Sequence, residues 1–340
     1  MSKKNSNVNL KNGFKDYKDL SAIFLNFKNR LNSLKKKKYL VAVSGGPDSL
    51  ALVALTIAYT FCKKTQFYYL LVDHNVRKNS TKEAKKVKSL LKKKYLNLKI
   101  LLNKKKITKN IQAEARNVRY NILTSFCKKN NIKVILTAHN LEDQVETFLI
   151  RLSRGSGLKG LSAMKSHTKI NNQVSLFRPL LDTQKQFLVK ISKIICGKYF
   201  IDPSNKDQKY LRTKVRNLKK PLEKSGIKYE KIFKSIQNLS QSEKTLDSYL
   251  SNIFKEFIKK ISNSEILINF KKYKDLNMDI KIALINHSIK QLKSNYYDLR
   301  SKKVENLIRN LDKKDFKNST LGGCIFFKKG EYLCLKLEKR

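Results

Sequence analysis

The sequence has no CxxC pair. Its five cysteines, Cys62, Cys127, Cys196, Cys324 and Cys334, are scattered along 340 residues. That argues against a zinc or iron–sulfur site and a disulfide framework, and it suits a reducing compartment. Long apolar runs are missing too. Met1–Asn9 is polar, without the apolar centre of a signal peptide. The longest apolar helical stretch, Leu50–Cys62, is too short to span a bilayer. A soluble, cytoplasmic chain with no membrane partner is expected. No repeat of fixed period is present. Acidic residues are scarce, 26 against 75 Lys and Arg, and the formal net charge of +49 makes a polyanion the default partner. Most of that excess is lysine, and runs such as Lys35–Lys38 read as solvated faces. Arginine is sparse by comparison. Eight arginines fall between residues 77 and 216: Arg77, Arg116, Arg119, Arg151, Arg154, Arg178, Arg212 and Arg216. In a lysine-rich chain these mark places where a planar fork for phosphate or carboxylate is wanted.

What is present centres on Tyr39–Ser49. Tyr39–Val43 has the length and composition of a buried parallel strand. Ser44-Gly45-Gly46-Pro47-Asp48-Ser49 follows directly, and Leu50–Cys62 reads as a buried helix. A strand, a glycine turn and a helix in that order aim unpaired backbone N–H groups, with the helix dipole behind them, at whatever lies above the strand. The glycines permit close approach of an anion, Ser44 and Ser49 add hydroxyl donors, and Pro47 fits the first helical turn. Asp48 would repel a polyphosphate unless a cation lay between them, so it suggests Mg²⁺. The turn lacks the Gly-Lys-Ser/Thr ending of a Walker loop and the spacing of a dinucleotide fingerprint.

Elements alternate from there. A helix over Asp16–Leu34 precedes the first strand. Strands at Phe67–Val72, Leu98–Leu102 and Val134–Thr137 alternate with helices at Ser80–Lys94, Ile111–Lys129 and Leu141–Leu152, with Ser80 or Thr81 capping the first of these. The alternation predicts a parallel sheet covered on both faces, with ligands beyond the carboxyl ends of its strands. Phe177–Leu181 reads as an edge strand because Pro179 removes a donor. Residues 202–205 read as a turn. Residues 1–15 read as a flexible basic tail, 16–220 as the α/β domain, 221–315 as a helical domain opened by Pro221, and 316–340 as a glycine-turn hairpin.

The strand ends gather polar residues. His74 and Arg77 follow the second strand; His139 and Asn140 follow the fourth. Asp143 and Glu146 share a helix face, as do Gln112, Arg116 and Arg119. For His139 alone, a capping role and a chemical one stand equal. Arg151, Arg154 and the Gly155-Ser156-Gly157-Leu158-Lys159-Gly160 loop suit a phosphate or a nucleotide backbone. Arg212 and Arg216 share a face if that stretch is helical.

In order, the motifs VAVSGGPDSLAL, LLVDHNVRKNSTKEA, IQAEARNVRYNIL, LTAHNLEDQVETFLIRLSRGSGLKGLSAM, FRPLL and IDPSNKDQKYLRTKVR resemble the tRNA(Ile)-lysidine synthase family, over about residues 39–218. SGGPDS alone is shared across the ATP pyrophosphatases. The resemblance implies an α/β fold: a parallel-sheet, adenine nucleotide alpha hydrolase-like ATP pyrophosphatase domain, then a smaller helical tRNA-binding domain and a short β-hairpin. It implies ATP and Mg²⁺ as reactants, tRNA(Ile) with a CAU anticodon and L-lysine as partners, and no stable protein partner. It implies, too, that the wobble cytidine is adenylated at C2 and then attacked by the ε-amino group of lysine. Carried over, Ser44, Gly45, Gly46, Pro47, Asp48 and Ser49 would bind ATP, with Asp48 on Mg²⁺. Asp48, Asp143 and Arg116 would serve the chemistry. Arg119, His139, Glu146, Arg151, Arg154, Gly155, Gly157, Arg212 and Arg216 would meet tRNA, cytidine or lysine. Asn140 and Glu142 depart from the family's usual His and Asp, and Thr213 from its Asn. Three rivals remain: a tRNA thiolase on the same loop, a small-molecule amide-forming ligase, and a non-catalytic RNA-binding protein.

Overall fold

In a computed structural model, residues 9–75, 79–103, 111–201, 207–293, 301–313 and 315–338 are described. The chain divides into two compact units, Met1–Ser240 and Gln241–Arg340.

The first unit opens with α1 (Lys18–Ser33), then β1 (Lys38–Val43), α2 (Pro47–Cys62), β2 (Gln66–Asp73), α3 (Ser80–Lys92), β3 (Leu98–Leu102), α4 (Ile111–Lys129), β4 (Val134–Leu136) and α5 (Leu141–Leu152). After a single turn, α6 (Leu158–Leu161), come β5 (His167–Lys169), β6 (Ser175–Phe177), α7 (Lys185–Cys196), α8 (Leu211–Asn217), α9 (Lys219–Lys224) and α10 (Tyr229–Phe257). The sheet order is β3-β2-β1-β4-β6-β5, parallel except for β5. Alternation within β1 shows why both faces are covered. Tyr39, Val41 and Val43 enter one core with residues of α1, α2, α3 and α7, whereas Leu40 and Ala42 enter another with Leu123 and Cys127 of α4. The expected doubly covered parallel sheet is present.

Some local expectations change. Phe177 belongs to a strand that pairs on both sides, with β4 and β5, so it is not at the edge; Pro179 comes after the last ladder bond. Asn79, rather than Ser80 or Thr81, is the N-cap of α3, and Thr81 instead donates to Asp73 at 2.6 Å. The basic tail expected over 1–15 ends earlier. Leu10 and Phe14 are buried in the first core, with Phe14 edge-on to Phe24 at 6.4 Å between centroids. Those two apolar residues, four apart, outweigh the lysines around them. Residues 1–8 lie outside the described residues.

The division between units falls inside α10, not at Pro221. Leu222, Ile232, Phe233 and Ile236 pack with Leu141 and Val145 of α5. In the second unit β7 (Ile258–Lys260), β8 (Glu265–Asn269), β9 (Asn318–Leu321), β10 (Cys324–Lys329) and β11 (Tyr332–Leu337) form an antiparallel sheet of order β7-β8-β11-β10-β9. The short helix α11 (Phe270–Tyr273), α12 (Met278–Leu292) and α13 (Ser301–Leu311) complete it. The expected hairpin is β10–β11, turning at Gly330. Helices and hairpin share one core, so 221–315 and 316–340 are not separate bodies. β8 interrupts the stretch that reads as helical, because Ile266 and Ile268 alternate inward with period two. Among the described residues no helix is long and apolar enough to cross a membrane.

The buried N-terminal segment is directly testable. Phe14→Ala should lower stability by about 3 kcal/mol, the range for an emptied aromatic site, read as a shifted denaturation midpoint. An unchanged midpoint would restore the flexible tail.

Candidate active site

The turn after β1 and the first turn of α2 form one wall of a cavity of about 900 Å³. The ends of β2 and β4, the first turns of α5, Arg116 and Arg119 from α4, and Arg212 and Arg216 from α8 line the rest. The rim expected beyond the strand ends therefore exists as one site. Arg77 and the turn at 202–205 lie outside the described residues, as does the side chain of Gln112.

The turn is shaped from inside. Ser49 Oγ accepts the N–H groups of Ser44 and Gly45 at 3.2 and 3.1 Å and donates to the Gly46 carbonyl at 3.0 Å. The hydroxyl that the sequence offers as a ligand donor is thus the brace of the turn. Gly45 has φ +85°, and a Cβ there would stand 2.4 Å from Val87 Cγ2. Its carbonyl accepts Phe200 N–H at 3.0 Å. Only glycine fits both constraints. The amides of Asp48 and Ser49 lie in the first turn of α2, where no intrahelical acceptor exists, and so stay available to an anion.

Asp48 faces the cavity with Oδ1 buried and without a hydrogen-bond partner. Burial pushes its carboxyl up to about 6. Asp143 and Glu142 add to that rise, while Lys185 and a hydrogen bond from Asn140 oppose it. An orphaned oxygen in an acidic corner fits a divalent cation. Among the described residues no three His, Cys, Asp or Glu converge as a metal set. A cation on Asp48 would therefore complete its shell with substrate oxygens and water, as Mg²⁺ commonly does.

The opposite wall is α5, locked by a capping box. Asn140 Oδ1 accepts Asp143 N–H at 3.0 Å, and Asp143 Oδ2 accepts Asn140 N–H at 3.2 Å. Asp143 Oδ1 accepts Arg212 Nη2 at 2.8 Å. Glu146, its side chain only 3 % exposed, accepts Arg212 Nε and Arg216 Nε, both at 2.7 Å. Arg212 and Arg216, read from sequence as contacts to tRNA, cytidine or lysine, line the cavity and are paired with these acids. A carboxylate so buried needs opposite charge within reach. Two of the three departures from the family pattern also find their physical use. Asn140 is the cap. Glu142 accepts Lys185 N–H at 2.9 Å and pairs with Lys219 Nζ at 3.1 Å.

A basic side completes the cavity. Arg116 lies 5.0 Å above the Tyr120 ring. Burial, with Arg116 beside it, holds the Arg119 guanidinium below its ordinary value. Burial, with Arg178, Arg116, Arg212 and Arg119 around it, holds the His139 imidazole well below its ordinary range. His139 is therefore neutral at physiological pH, with Nδ1 3.0 Å from Thr137 Oγ1. At the far end of α5 the glycine loop exposes Arg154, Gly155 and Gly157. Arg151 turns inward to the carbonyls of Gly160 and Ala163. Sequence reasoning missed Lys185 and Phe200. The signal for Lys185 was its place as the first residue of the helix after FRPLL.

Residues 20–222 match the PP-loop domain family. The tRNA(Ile)-lysidine synthase of Wolbachia pipientis wMel is 35% identical over 315 residues, covering 91% of this chain and 73% of that protein. That of Orientia tsutsugamushi is 31% identical over 309 residues, covering 88% and 70%. Among solved structures, the U34-tRNA thiolase NcsA from Methanococcus maripaludis is similar with a TM-score of 0.55 and 18% identity, over 65% of this chain and 80% of that one. That likeness is one of fold.

The raised pKa of Asp48 has a sign that can be checked. The ligand-free fold holds the Asp48 proton more tightly than the unfolded chain does, so the group's contribution is full below about pH 4 and is lost as pH rises through about 6. Asp48→Asn should match wild type near pH 4 and be more stable above pH 6, by about 3 kcal/mol at about 1.4 kcal/mol per unit. Melting curves without nucleotide or metal would show it. A pH-independent difference would refute the assignment.

Proposed function

The chain belongs to the tRNA(Ile)-lysidine synthase family of PP-loop proteins, and on that premise we propose that it joins lysine to the wobble cytidine of a tRNA(Ile) bearing a CAU anticodon. It is an enzyme that uses ATP to modify tRNA. Lysine, the anticodon, Mg²⁺ and the residue roles are our reading. The observation that carries that reading is the meeting, in one cavity, of the anion-binding turn with its buried Asp48 and of the paired acids of α5.

In the first step the C2 carbonyl oxygen of cytidine attacks the α-phosphorus of ATP and pyrophosphate leaves. The first-turn amides of α2 stabilise the charge gathered on the departing pyrophosphate. Arg116 and Arg119 neutralise more of it. Asp48 would hold Mg²⁺, which supplies charge neutralisation between phosphate oxygens when bound. In the second step the ε-amino nitrogen of lysine forms a bond to C2 and AMP leaves. The ammonium must first lose a proton, and on this reading Asp143 would receive it. Glu146, fixed by two guanidinium groups, keeps Arg212 on Asp143 and so sets where that carboxylate points. Neutral His139 offers the cytosine a flat, hydrogen-bonding neighbour. Arg154 and the exposed loop, with the basic second unit, take the tRNA backbone, with an affinity that falls with salt. We place the reaction in the cytoplasm.

The thiolase alternative is disfavoured by one observation. No cysteine is among the described residues lining the cavity, and Cys127, Cys196, Cys324 and Cys334 are buried elsewhere.

The test is labelled lysine incorporation into unmodified tRNA(Ile) and tRNA(Met) transcripts, both CAU, with ATP and Mg²⁺. Incorporation is expected into the first only. Pyrophosphate release without lysine incorporation would transfer the site to another nucleophile. Asp48→Ala should abolish pyrophosphate release and leave tRNA binding within about two-fold. Loss of binding alone would overturn its role.

A further inference from the structure

The loop from Gly155 to Met164 is held by α5 at two places. Arg151 Nη1 donates to the Gly160 carbonyl at 2.7 Å and to the Ala163 carbonyl at 2.8 Å. Gln144 is buried and pairs with Met164 through both ends of its amide: Nε2 donates to the Met164 carbonyl at 2.9 Å, and Oε1 accepts Met164 N–H at 2.8 Å. Gln144 and Arg151 stand seven residues apart on one face of the helix. Between the two attachments Ala163 has φ +56°, a left-handed conformation that residues with a Cβ rarely adopt. Such backbone persists only where its surroundings over-determine it, and two side-chain clamps, with the packing of buried Ala163 beside Leu141, Val145 and Tyr229, do so. The start of the loop is tied as well, since the N–H groups of Arg154 and Ser156 both donate to the Arg151 carbonyl at 3.1 Å. Arg154 itself points into solvent.

We infer that Arg151 and Gln144 are positioning residues for tRNA. They act through the glycine loop and do not touch the nucleic acid, whereas Arg154 makes the phosphate contact. This rests on the reading above that the loop faces tRNA. The two kinds of residue differ in a measurable way. A side chain that neutralises a phosphate contributes close to one to the slope of log affinity against log salt. A side chain that only shapes the loop changes affinity and leaves that slope alone.

The experiment compares Arg151→Met, Gln144→Met and Arg154→Met in the full-length protein. It reads the KM for tRNA at several salt concentrations, the KM for ATP, and the rate of tryptic cleavage after Arg154 in the free protein. Arg154→Met, which removes the cleavage site, is read by kinetics alone and should lower the salt slope by about one. Arg151→Met and Gln144→Met should raise the tRNA KM about ten-fold with the slope and the ATP KM unchanged, and should speed cleavage after Arg154. A reduced slope in Arg151→Met would make it a direct contact and overturn the inference. So would unaltered cleavage in both clamp variants. Faster cleavage with an unchanged tRNA KM would leave the clamp standing and remove the tRNA reading of the loop. Gln144→Glu, nearly isosteric and able to accept only the Met164 N–H, covers misfolding of the Met variant and should fall between it and wild type. Arg151→Lys separates charge from geometry: equality with wild type would favour a simple phosphate contact, and equality with Arg151→Met the clamp.

Discussion

β1 is hydrogen-bonded to β2 on one side and to β4 on the other, all parallel, and the whole site depends on that adjacency. The chain passes from β1 outward to β2 and β3, then returns to add β4 at β1's free edge. The direction of winding reverses between β1 and β4, which opens a crevice beyond the carboxyl ends of these two strands. α2 and α5 are the helices that follow them. Their N-termini bring the Ser44–Ser49 turn and Asp143 to the two lips of one cavity, although the residues are almost a hundred positions apart in the chain. Neither lip has much meaning alone. A capped helix start is common, and a glycine turn is common; the crevice makes them one site.

Charge is distributed unevenly around that crevice, and the distribution follows from burial. Glu146 is nearly inaccessible, and Arg212 and Arg216 bond to it directly, supplying the opposite charge that a buried carboxylate needs. Arg212 also bonds to Asp143. Asp48 has no such partner on Oδ1, and its acidity weakens accordingly. On the basic side, burial, with arginines around it, holds His139 well below its ordinary range. Around the cavity Glu142, Asp143 and Glu146 are paired with cations, Asp48 has one oxygen without a partner, and Arg116 and Arg119 line the basic side. On the proposed function, the phosphates of ATP would meet those arginines and a divalent cation would meet Asp48.

How much of this could be read in advance follows from the range of each interaction. The alternation of strands and helices, the boundaries of α5 and the turn at Ser44–Ser49 are written in local pattern, and the structure has them where the pattern puts them. What the pattern could not carry was pairing. Arg212 and Arg216 look like free cations in a basic chain, and only the fold reveals that Glu146, some seventy residues earlier, uses them. Ser49 looks like a ligand donor until the turn curls back on it. Lys185 has only a faint local signature, its place at the start of the helix after FRPLL, because its importance comes from its charge near Asp48. Phe14 was hidden by its neighbours: Lys11, Lys15 and Lys18 outnumber it, yet burying one aromatic ring outweighs exposed lysines that lose nothing. In the second unit, the alternation of Ile266 and Ile268 was legible but too short to stand against the long helical stretch before it.

The position of α5 explains why one short helix carries so much of the site. Its twelve residues span about 18 Å at 1.5 Å per residue. The first turn holds Asp143 at the adenylation corner, the second holds Glu146 against α8, and the last reaches the glycine loop through Arg151. A helix of that length does not stretch, so the separation between the acid corner and the loop is set by covalent and hydrogen-bond geometry rather than by loop entropy. Both ends are fixed: the first turn by its capping box, by Glu142 on the backbone of α7 and by Gln144 on Met164, the last turn by Arg151 on the loop. An enzyme that must bring a nucleotide of a large polyanion to an ATP α-phosphate gains most of its rate from holding the two at a constant distance. On the proposed function α5 would set that distance: its side chains bond to four separate segments, while Glu142, Asp143 and Glu146 line the cavity.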